Sequence, residues 1–256
     1  VLSIGIGVVQ ARRLFRRFRP HCIVGFGGYP SVPTMLAATI RSLPTVIHEQ
    51  NAVLGRANHL VASRVSTIAT SFDETEGVSP ENAAKVVMTG NPVRQAFSEI
   101  RNRPYPPVGP NGKGVKILIL GGSLGAKIFS DVVPRAIADM PEALRRRFSI
   151  VQQCRAEDMD RVRETYDSVG ISPELATFFD DVPDRMAAAH IVITRAGAST
   201  IAEMAETGRP AILVPYPHAL DDHQTANARS IDDYEAGWLI PQDGFTPESL
   251  TIRLEG

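Results

Sequence analysis

The amino-acid sequence predicts an α/β protein made of two doubly wound parallel-sheet domains. Short apolar segments rich in Val and Ile alternate with segments whose apolar residues recur at helical spacing. Strands that alternate with helices indicate parallel sheets whose two faces are both covered. A length of 256 residues suits one large or two modest domains of this class, and we expect two.

Eight strands are predicted in two groups. The first group is residues 22–25, 45–47, 65–68 and 85–88, and the second is 115–120, 149–151, 191–194 and 211–214. Between the groups, segment 102–114 is dense in Pro and Gly, which predicts a loop between the domains. Residues 90–94 have the composition of a turn that closes the first sheet. We therefore place the boundary near residue 93, with domains 1–93 and 94–256.

Composition excludes several classes of protein. The formal net charge of −1 provides no general basic field, so a nucleic-acid partner is not expected. Cys22 and Cys154 are too few for a disulfide framework or a zinc site, which favours a reduced cytosolic setting and a packing role. No apolar segment is long enough to span a bilayer, and nothing resembles a signal peptide. A soluble or peripheral protein is predicted. The chain begins in the middle of an amphipathic pattern, and we expect both ends to be cut from a longer sequence.

The strongest binding signal is segment 195–203, which follows the apolar residues 191–193 and begins a helical pattern. The start of a helix has unpaired N–H groups and positive potential, and both suit a phosphate. Glu203 lies one helical turn beyond Ser199 and Thr200, so its carboxylate can accept hydrogen bonds from a ribose diol. The alternative is a capping box, in which Glu203 only returns to the N-cap amide.

Two further segments follow predicted strands. In 121–126, glycines allow close approach to a diphosphate and Ser123 can donate to an oxygen, although a turn needed only for packing is the alternative. The segment lacks the dinucleotide fingerprint, which disfavours a nicotinamide dehydrogenase. In 215–228, His223, Gln224 and Asn227 share a helical face that can serve sugar hydroxyls, or that is simply solvated. His218, His223 and the nearby aspartates match no zinc signature, so no metal is expected.

In the first half, segments 25–29 and 48–51 each follow a strand, and polar groups at successive strand ends converge on one crevice. At the amino terminus, an apolar stretch, residues 1–6, precedes a basic cluster of Arg12, Arg13, Arg16, Arg17 and Arg19. Such a surface suits an anionic membrane, and the alternative is an ordinary helix with a solvated basic edge.

In order and spacing, segments 25–29, 48–51, 90–94, 121–126, 195–203 and 222–228 resemble the MurG family of glycosyltransferase family 28. The resemblance implies a GT-B fold, with two Rossmann-like domains facing a cleft. Domain 1–93 would be the acceptor and membrane-associated domain, and domain 94–256 the UDP-sugar donor domain. The implied activity is inverting transfer of N-acetylglucosamine from UDP-GlcNAc to the N-acetylmuramyl 4-hydroxyl of lipid I, which gives lipid II in peptidoglycan biosynthesis. The implied location is peripheral, at the cytoplasmic face of the bacterial plasma membrane, and no cofactor is expected.

The resemblance also implies donor-site roles, without identifying a catalytic residue. Arg94 and the backbone near Phe179 would frame the uracil, Glu203 would bind the ribose diol, and Asn51 would reach the donor from across the cleft. His223 and Gln224 would hold the sugar hydroxyls. The diphosphate would be held by Ser123 and by Ala198, Ser199 and Thr200 at the helix start, and Ile201 and Ala202 would also belong to the UDP-GlcNAc site.

The sequence departs from the family at both ends. The family's amino-terminal glycine-rich loop with its histidine would precede Val1, and its carboxy-terminal helix would follow Gly256. We therefore expect that the chain as given keeps much of the donor pocket but has little or no transferase activity. Two alternatives stay open, namely a UDP-GlcNAc 2-epimerase and a non-catalytic UDP-sugar-binding subunit that needs a partner.

Overall fold

The computed structural model describes residues 2–110, 114–122 and 125–255. The chain divides into two compact units, Val1–Pro92 and Val93–Gly256, here called the first and second unit. The division lies one residue from the boundary expected near residue 93. Each unit has its own parallel sheet.

In the first unit, the described elements follow one another in a strict alternation of helix and strand. They are α1 (Leu2–Phe18), β1 (Ile23–Gly25), α2 (Ser31–Ile40), β2 (Thr45–Glu49), α3 (Arg56–Ala62), β3 (Thr67–Thr70), a 3-10 helix (Pro80–Lys85) and β4 (Val86–Met88). All neighbouring strands are parallel, in the order β1-β2-β3-β4.

The helices of the first unit pack on one face of its sheet. Met35 of α2 and Val61 of α3 join Ile47 and Ile68 in one buried cluster, and Phe15 of α1 packs with α2 in another. On the opposite face, where successive strand residues point the other way, Val24 and Val87 are each 51% exposed. A doubly wound sheet is expected to have helices on both faces. Within the described residues, helices cover one face of the sheet of this unit.

The second unit contains the larger sheet. Its elements are α4 (Gln95–Ser98), β5 (Val115–Leu120), α5 (Lys127–Asp139), α6 (Glu142–Arg145), β6 (Phe148–Gln153), α7 (Met159–Asp167), β7 (Glu174–Ala176), α8 (Val182–Ala188), β8 (Ile191–Thr194), α9 (Ala198–Thr207), β9 (Ala211–Leu213), α10 (His223–Asp233), β10 (Gly237–Leu239) and α11 (Pro247–Glu255). Three 3-10 helices occupy Ala156–Asp158, Leu220–Asp222 and Gln242–Gly244.

The strand order of the second unit creates a switch point between β5 and β8. The six parallel strands lie in the order β10-β9-β8-β5-β6-β7, so the chain first builds outward on one side of β5 and then on the other. Both faces are covered, because Ile117 and Ile119 pack with α5 while Leu118, on the other face, is 1% exposed. In such sheets, ligands bind beyond the carboxyl ends of the strands at the switch point.

The Pro- and Gly-rich segment belongs to the second unit and does not connect the two units, so its interpretation as the loop between domains is wrong. Tyr105 donates its hydroxyl to the His190 carbonyl at 2.7 Å, and Arg209 lies over the Tyr105 ring at 5.4 Å. These contacts tie the described part of the segment to the start of β8. Of the helices that the structure describes, none combines the length and apolar character needed to cross a membrane.

Candidate functional site

The loop between β8 and α9 presents an uncapped helix start at the switch point. Gly197 is the N-cap residue, with an extended backbone (φ −67°, ψ 144°) and no side-chain cap. The first intrahelical bond of the turn runs from the Ile201 amide to the Gly197 carbonyl at 3.0 Å. The amides of Ala198, Ser199 and Thr200 therefore precede the first bonded amide and point out of the helix, where the macrodipole is positive.

Glu203 has a different partner from the one that the capping alternative requires. Its Oε1 accepts a hydrogen bond from Arg94 Nε at 2.8 Å, and its side chain is 13% exposed. Because Gly197 is the N-cap, the capping-box interpretation of Thr200 and Glu203 is wrong. The carboxylate lies five positions beyond the first helical residue, on the side where Arg94 reaches it.

Ile201 and Ala202 contribute differently from the residues before them. The Ile201 side chain is 3% exposed and belongs to the core, and its amide is already used within the helix. Ala202 is half-buried. Their place in the UDP-GlcNAc site stays a prediction, with Ile201 acting through the packing of α9.

The glycine-rich turn after β5 is held by Gln153, which the sequence analysis did not identify. The Gly121 amide donates to Gln153 Oε1, and Gln153 Nε2 donates to the Gly122 carbonyl, each at 3.1 Å. Gln153 ends β6 and is 7% exposed. A polar residue at the carboxyl end of a predicted strand was the available signal. Ser123, predicted to contact the diphosphate, lies outside the described residues.

Phe179 is a buried residue after β7. It is 6% exposed and Arg185 lies over its ring at 4.1 Å, whereas its neighbour Phe178 is 66% exposed. The pKa of Asp181 is lowered by the Arg185 guanidinium that donates to it. The exposed Phe178 ring provides a stacking surface beside the backbone that was predicted to frame the uracil, and the sequence analysis overlooked it.

At the start of α10, the structure separates the three side chains that were expected to share a sugar-binding face. The His223 ring donates from Nδ1 to the Leu220 carbonyl at 2.7 Å, which leaves Nε2 as an acceptor, and Gln224 Oε1 accepts from the Tyr216 amide at 2.9 Å. Asn227 is fully buried and donates to the Ala196 carbonyl at 3.0 Å. Its predicted role with sugar hydroxyls is therefore wrong, because it joins α10 to the loop before α9.

Arg195 holds two strand ends together. Its Nη1 donates to the Val214 and Pro215 carbonyls at 3.1 and 3.0 Å, and its Nη2 donates to Gln242 Oε1 at 2.7 Å. The guanidinium also lies over the rings of Phe129 and Tyr216. Burial lowers its pKa below the usual value. Arg195 thus places a positive charge, bonded to neutral acceptors, beneath the loops that follow β8 and β9.

In the first unit, Asn51 is positioned by a buried carboxylate. Glu49 is 2% exposed and accepts four hydrogen bonds, of which two come from the amide and side chain of Asn51 at 3.1 and 3.3 Å. The other two come from the Gly55 amide at 2.9 Å and from Asn58 Nδ2 at 2.8 Å. Glu49 therefore shapes the loop that leads from β2 into α3.

His48, beside Glu49, lines a cavity of about 300 Å³ at the carboxyl ends of the strands of the first unit. Its Nε2 donates to the Gly90 carbonyl at 3.0 Å, and its Nδ1 accepts from Gln50 at 2.9 Å, so both ring nitrogens are used. Phe26, which follows β1, lies 5.6 Å from the imidazole, centroid to centroid. Segments 25–29 and 48–51 therefore meet here, as expected, together with residues 90–92.

The two cysteines differ in burial, and the packing role expected of both does not hold for Cys22. Cys22 is exposed, and Cys154 is buried with its pKa raised by burial to about 11. The packing role expected for the cysteines is thus seen for Cys154. Across residues 2–110, 114–122 and 125–255, no three His, Cys, Asp or Glu side chains are grouped so that they could hold a metal ion.

Comparison with known proteins adds a sequence family to this geometry. Residues 116–255 match the glycosyltransferase family 28 C-terminal domain, and residues 1–70 match the N-terminal domain of the same family. A protein of Paramagnetospirillum magneticum named UDP-N-acetylglucosamine–N-acetylmuramyl-(pentapeptide) pyrophosphoryl-undecaprenol N-acetylglucosamine transferase is 55% identical over 254 residues, which are 99% of this chain and 68% of that protein. The chain spans about two thirds of the length of such curated relatives.

Solved structures agree on the fold. The crystal structure of Acinetobacter baumannii MurG is 31% identical, with a TM-score of 0.82 over 99% of this chain and 70% of that one. A UDP-GlcNAc 2-epimerase from Neisseria meningitidis has a TM-score of 0.65 over 99% of this chain and 73% of that one, but at 14% identity it shows the fold alone. The GT-B fold predicted from the sequence is confirmed, and by its sequence the chain belongs to glycosyltransferase family 28.

Proposed function

We propose that this chain acts in the transfer of N-acetylglucosamine from UDP-GlcNAc to the N-acetylmuramyl 4-hydroxyl of lipid I, which yields lipid II for peptidoglycan. Curated relatives at 48–55% identity have the name of this transferase. The observation that carries the proposal is the uncapped start of α9 at the switch point, with the Glu203 carboxylate beside it. The helix start suits the diphosphate of a nucleoside diphosphate sugar, and the carboxylate suits its ribose.

The start of α9 binds the donor diphosphate through the amides of Ala198, Ser199 and Thr200. As the bond to the sugar breaks, negative charge develops on the departing UDP, and preorganised amides with a helix dipole behind them stabilise that charge. The turn held by Gln153 would approach the diphosphate from the end of β5, and Ser123 stays a predicted contact of the diphosphate. Arg195 adds a buried positive charge beneath the same edge.

The remaining donor contacts follow from the free atoms of the site. Glu203 accepts from the ribose diol, while Arg94 and the backbone at Phe179 frame the uracil. His223 Nε2 and the amide nitrogen of Gln224 face the sugar hydroxyls, because Nδ1 and Oε1 of these side chains are already bonded within the chain. Asn51, held by Glu49, stays a predicted contact of the donor.

Replacing Glu203 with glutamine is expected to weaken UDP-GlcNAc binding about 10- to 100-fold. A hydrogen bond from a ribose hydroxyl to a carboxylate is worth roughly 1.5–3 kcal/mol, and the amide keeps only a neutral acceptor. Isothermal titration of residues 1–256 with UDP-GlcNAc, UDP-glucose and UDP measures the effect.

The matched control is Glu206→Gln, which removes a carboxylate one turn further along the same helix, where its ion pair with Arg101 is 4.0 Å long. This variant should bind UDP-GlcNAc as the wild type does. Unchanged affinity in Glu203→Gln, with both variants folded, would exclude Glu203 from the donor site. Binding of UDP-glucose as tightly as UDP-GlcNAc would contradict the proposed sugar.

We also propose that α1 rests on an anionic membrane surface, which keeps the protein peripheral at the cytoplasmic face where a lipid-linked acceptor is presented. Ile6, Val9, Leu14 and Phe18 of α1 are each at least half exposed. Beside them Arg16, Arg19 and Arg41 line a cavity of about 520 Å³ with Phe15 and Leu43. Arginines next to exposed apolar side chains suit anionic headgroups above acyl chains.

The double variant Arg16→Gln/Arg41→Gln is expected to reduce binding to vesicles that contain anionic phospholipid about 30-fold. Each basic residue near such a surface contributes about 1 kcal/mol, and added salt should remove the same contribution. Vesicle co-sedimentation over a salt series measures it, with Arg135→Gln/Arg229→Gln in the second unit as the charge-matched control. Equal binding of the wild type to anionic and neutral vesicles would contradict the membrane proposal.

A further inference from the structure

We propose that Arg94 is a positioning residue that holds the Glu203 carboxylate toward the ribose, so that recognition of the ribose depends on Arg94. The inference rests on the proposed UDP-sugar function and specifies how the site distinguishes a ribonucleotide from its 2′-deoxy form. Arg94 thereby determines sugar specificity in the nucleoside, in addition to any contact that it makes with the base.

The ion pair has a defined geometry. Arg94 uses its inner nitrogen, Nε, to donate to Glu203 Oε1 at 2.8 Å. The guanidinium also lies 4.9 Å above the ring of Phe97, a fully buried residue of α4. Stacking on a fixed ring and bonding through the inner nitrogen leave the guanidinium few orientations. The Arg94 head group is therefore held although its side chain is 63% exposed.

The ion pair leaves polar atoms on both side chains available to a ligand. Among the described residues, Glu203 Oε2 and the two Nη groups of Arg94 have no hydrogen-bond partner. A carboxylate oxygen can accept from a ribose hydroxyl, and the Nη groups can donate to the carbonyl oxygens of uracil. One ion pair can thus contact the base with one end and the ribose with the other.

Removal of Arg94 changes Glu203 in two ways. The carboxylate loses the bond that limits its rotamers, so binding a ribose must then pay the entropy of ordering it. It also loses the donor that occupies Oε1 and leaves Oε2 for the ligand. Both changes weaken the contact of Glu203 with the ribose hydroxyls, of which 2′-deoxy-UDP lacks one.

A role in base contact alone predicts a different result. If Arg94 only donated to uracil, its replacement would weaken UDP and 2′-deoxy-UDP by the same factor, because the two ligands have the same base. The ratio of the two dissociation constants therefore separates positioning of Glu203 from direct contact with the base.

The experiment measures the affinities of UDP and 2′-deoxy-UDP by titration calorimetry for the wild type, Arg94→Gln, Arg94→Lys, Glu203→Gln and the double variant Arg94→Gln/Glu203→Gln. We expect the wild type to prefer UDP about 10-fold, the factor that corresponds to one hydrogen bond to a charged group. In Arg94→Gln and in Glu203→Gln the preference should fall to about 2- to 3-fold. The double variant should fall no further, since both changes remove the same contact.

Arg94→Lys separates the effect of the positive charge of Arg94 from the effect of its forked hydrogen-bond donors. Lysine keeps a positive charge near Glu203 but lacks the forked donors. It should bind both nucleotides more weakly than the wild type while retaining most of the preference for UDP. Arg101→Gln, which removes an arginine that lies 4.0 Å from Glu206 of the same helix, should leave both affinities and their ratio unchanged.

Three results would contradict the positioning role of Arg94 or the donor site itself. An unchanged preference for UDP in Arg94→Gln overturns the positioning role, even if both affinities fall. Additive losses of preference in the double variant also overturn it. A wild type that binds neither nucleotide, or that shows no preference, contradicts the proposed donor site itself. Thermal unfolding followed by the fluorescence of Trp238, which lies in β10 of the second unit, confirms that each variant is folded.

Discussion

Replacing Glu49 with alanine is expected to lower the free energy of unfolding of the first unit by about 3–5 kcal/mol. The carboxylate is buried and accepts four hydrogen bonds, from Asn51 twice, Gly55 and Asn58. Alanine removes the acceptor of these donors, of which Asn58 Nδ2 is buried and the others are part-buried, and each lost bond costs about 1–3 kcal/mol before relaxation. The loop between β2 and α3 should lose its shape first.

Two probes together measure this effect. The single tryptophan, Trp238, lies in the second unit, so its fluorescence follows the unfolding of that unit. Circular dichroism follows both units, and in Glu49→Ala we expect a circular-dichroism transition at lower urea concentration without a matching change in fluorescence. Glu74→Gln, at an exposed glutamate of the same unit, is the control and should change stability by no more than about 0.5 kcal/mol. A Glu49→Ala protein as stable as this control would show that the four bonds contribute nothing net.

Glu49→Gln refines the test. The amide keeps one oxygen that can accept from two of the donors, but its NH2 group faces the other two. We expect about half of the loss that alanine causes. If the folded Glu49→Gln protein binds UDP-GlcNAc more weakly, the shape of the Asn51 loop matters for the donor as well as for stability.

Replacing Gly121 with alanine is expected to destabilise the second unit by about 3 kcal/mol and to weaken donor binding at least 10-fold. A Cβ atom at this position would lie 2.4 Å from the Ala126 backbone nitrogen and 2.8 Å from the Gly125 carbonyl carbon. Both neighbours are backbone atoms, so the turn itself must move. That movement would also break the bond from the Gly121 amide to Gln153.

Gly122→Ala provides the comparison for this prediction. Its Cβ would meet no atom of the described residues within 4 Å, but its φ of +77° strains any residue with a side chain. The only expected loss of stability is the cost of the backbone strain, about 1–2 kcal/mol. Urea unfolding followed at Trp238 should therefore rank wild type above Gly122→Ala and Gly122→Ala above Gly121→Ala. The reverse order of the two variants would show that close packing of the turn is not what requires glycine at 121.

Much of the fold could be predicted from local pattern. The eight strands expected from the sequence are all present, with bounds shifted by up to two residues. β7 and β10 were missed because each has three residues at an edge of the sheet, where neither a long apolar segment nor strict alternation is needed. The Pro- and Gly-rich segment was wrongly placed between domains, because composition predicts a loop but not which core the loop packs on.

The site could be predicted less completely. The sequence placed the helix start at Ala198 near the end of a strand, and periodicity put Glu203 on that helix. It could not choose between a cap and a ligand-binding carboxylate, because that choice depends on Arg94, which is 109 positions away along the chain. Asn227 was wrongly assigned to the binding face because one helical face combines positions that differ in burial once a second helix packs on it.

The sequence by itself determined the class of fold, the alternation of strands and helices and the chemical nature of the loops at the strand ends, because these depend on patterns within about 20 residues. Only the tertiary structure decided which polar groups are already used within the chain. Asn227 is bonded to a carbonyl 31 positions away and Glu203 to an arginine 109 positions away, whereas the amides that begin α9 are left for a ligand. The physical reason is that a buried polar group must find a partner, and the partner is chosen by the packing of elements far apart in the chain.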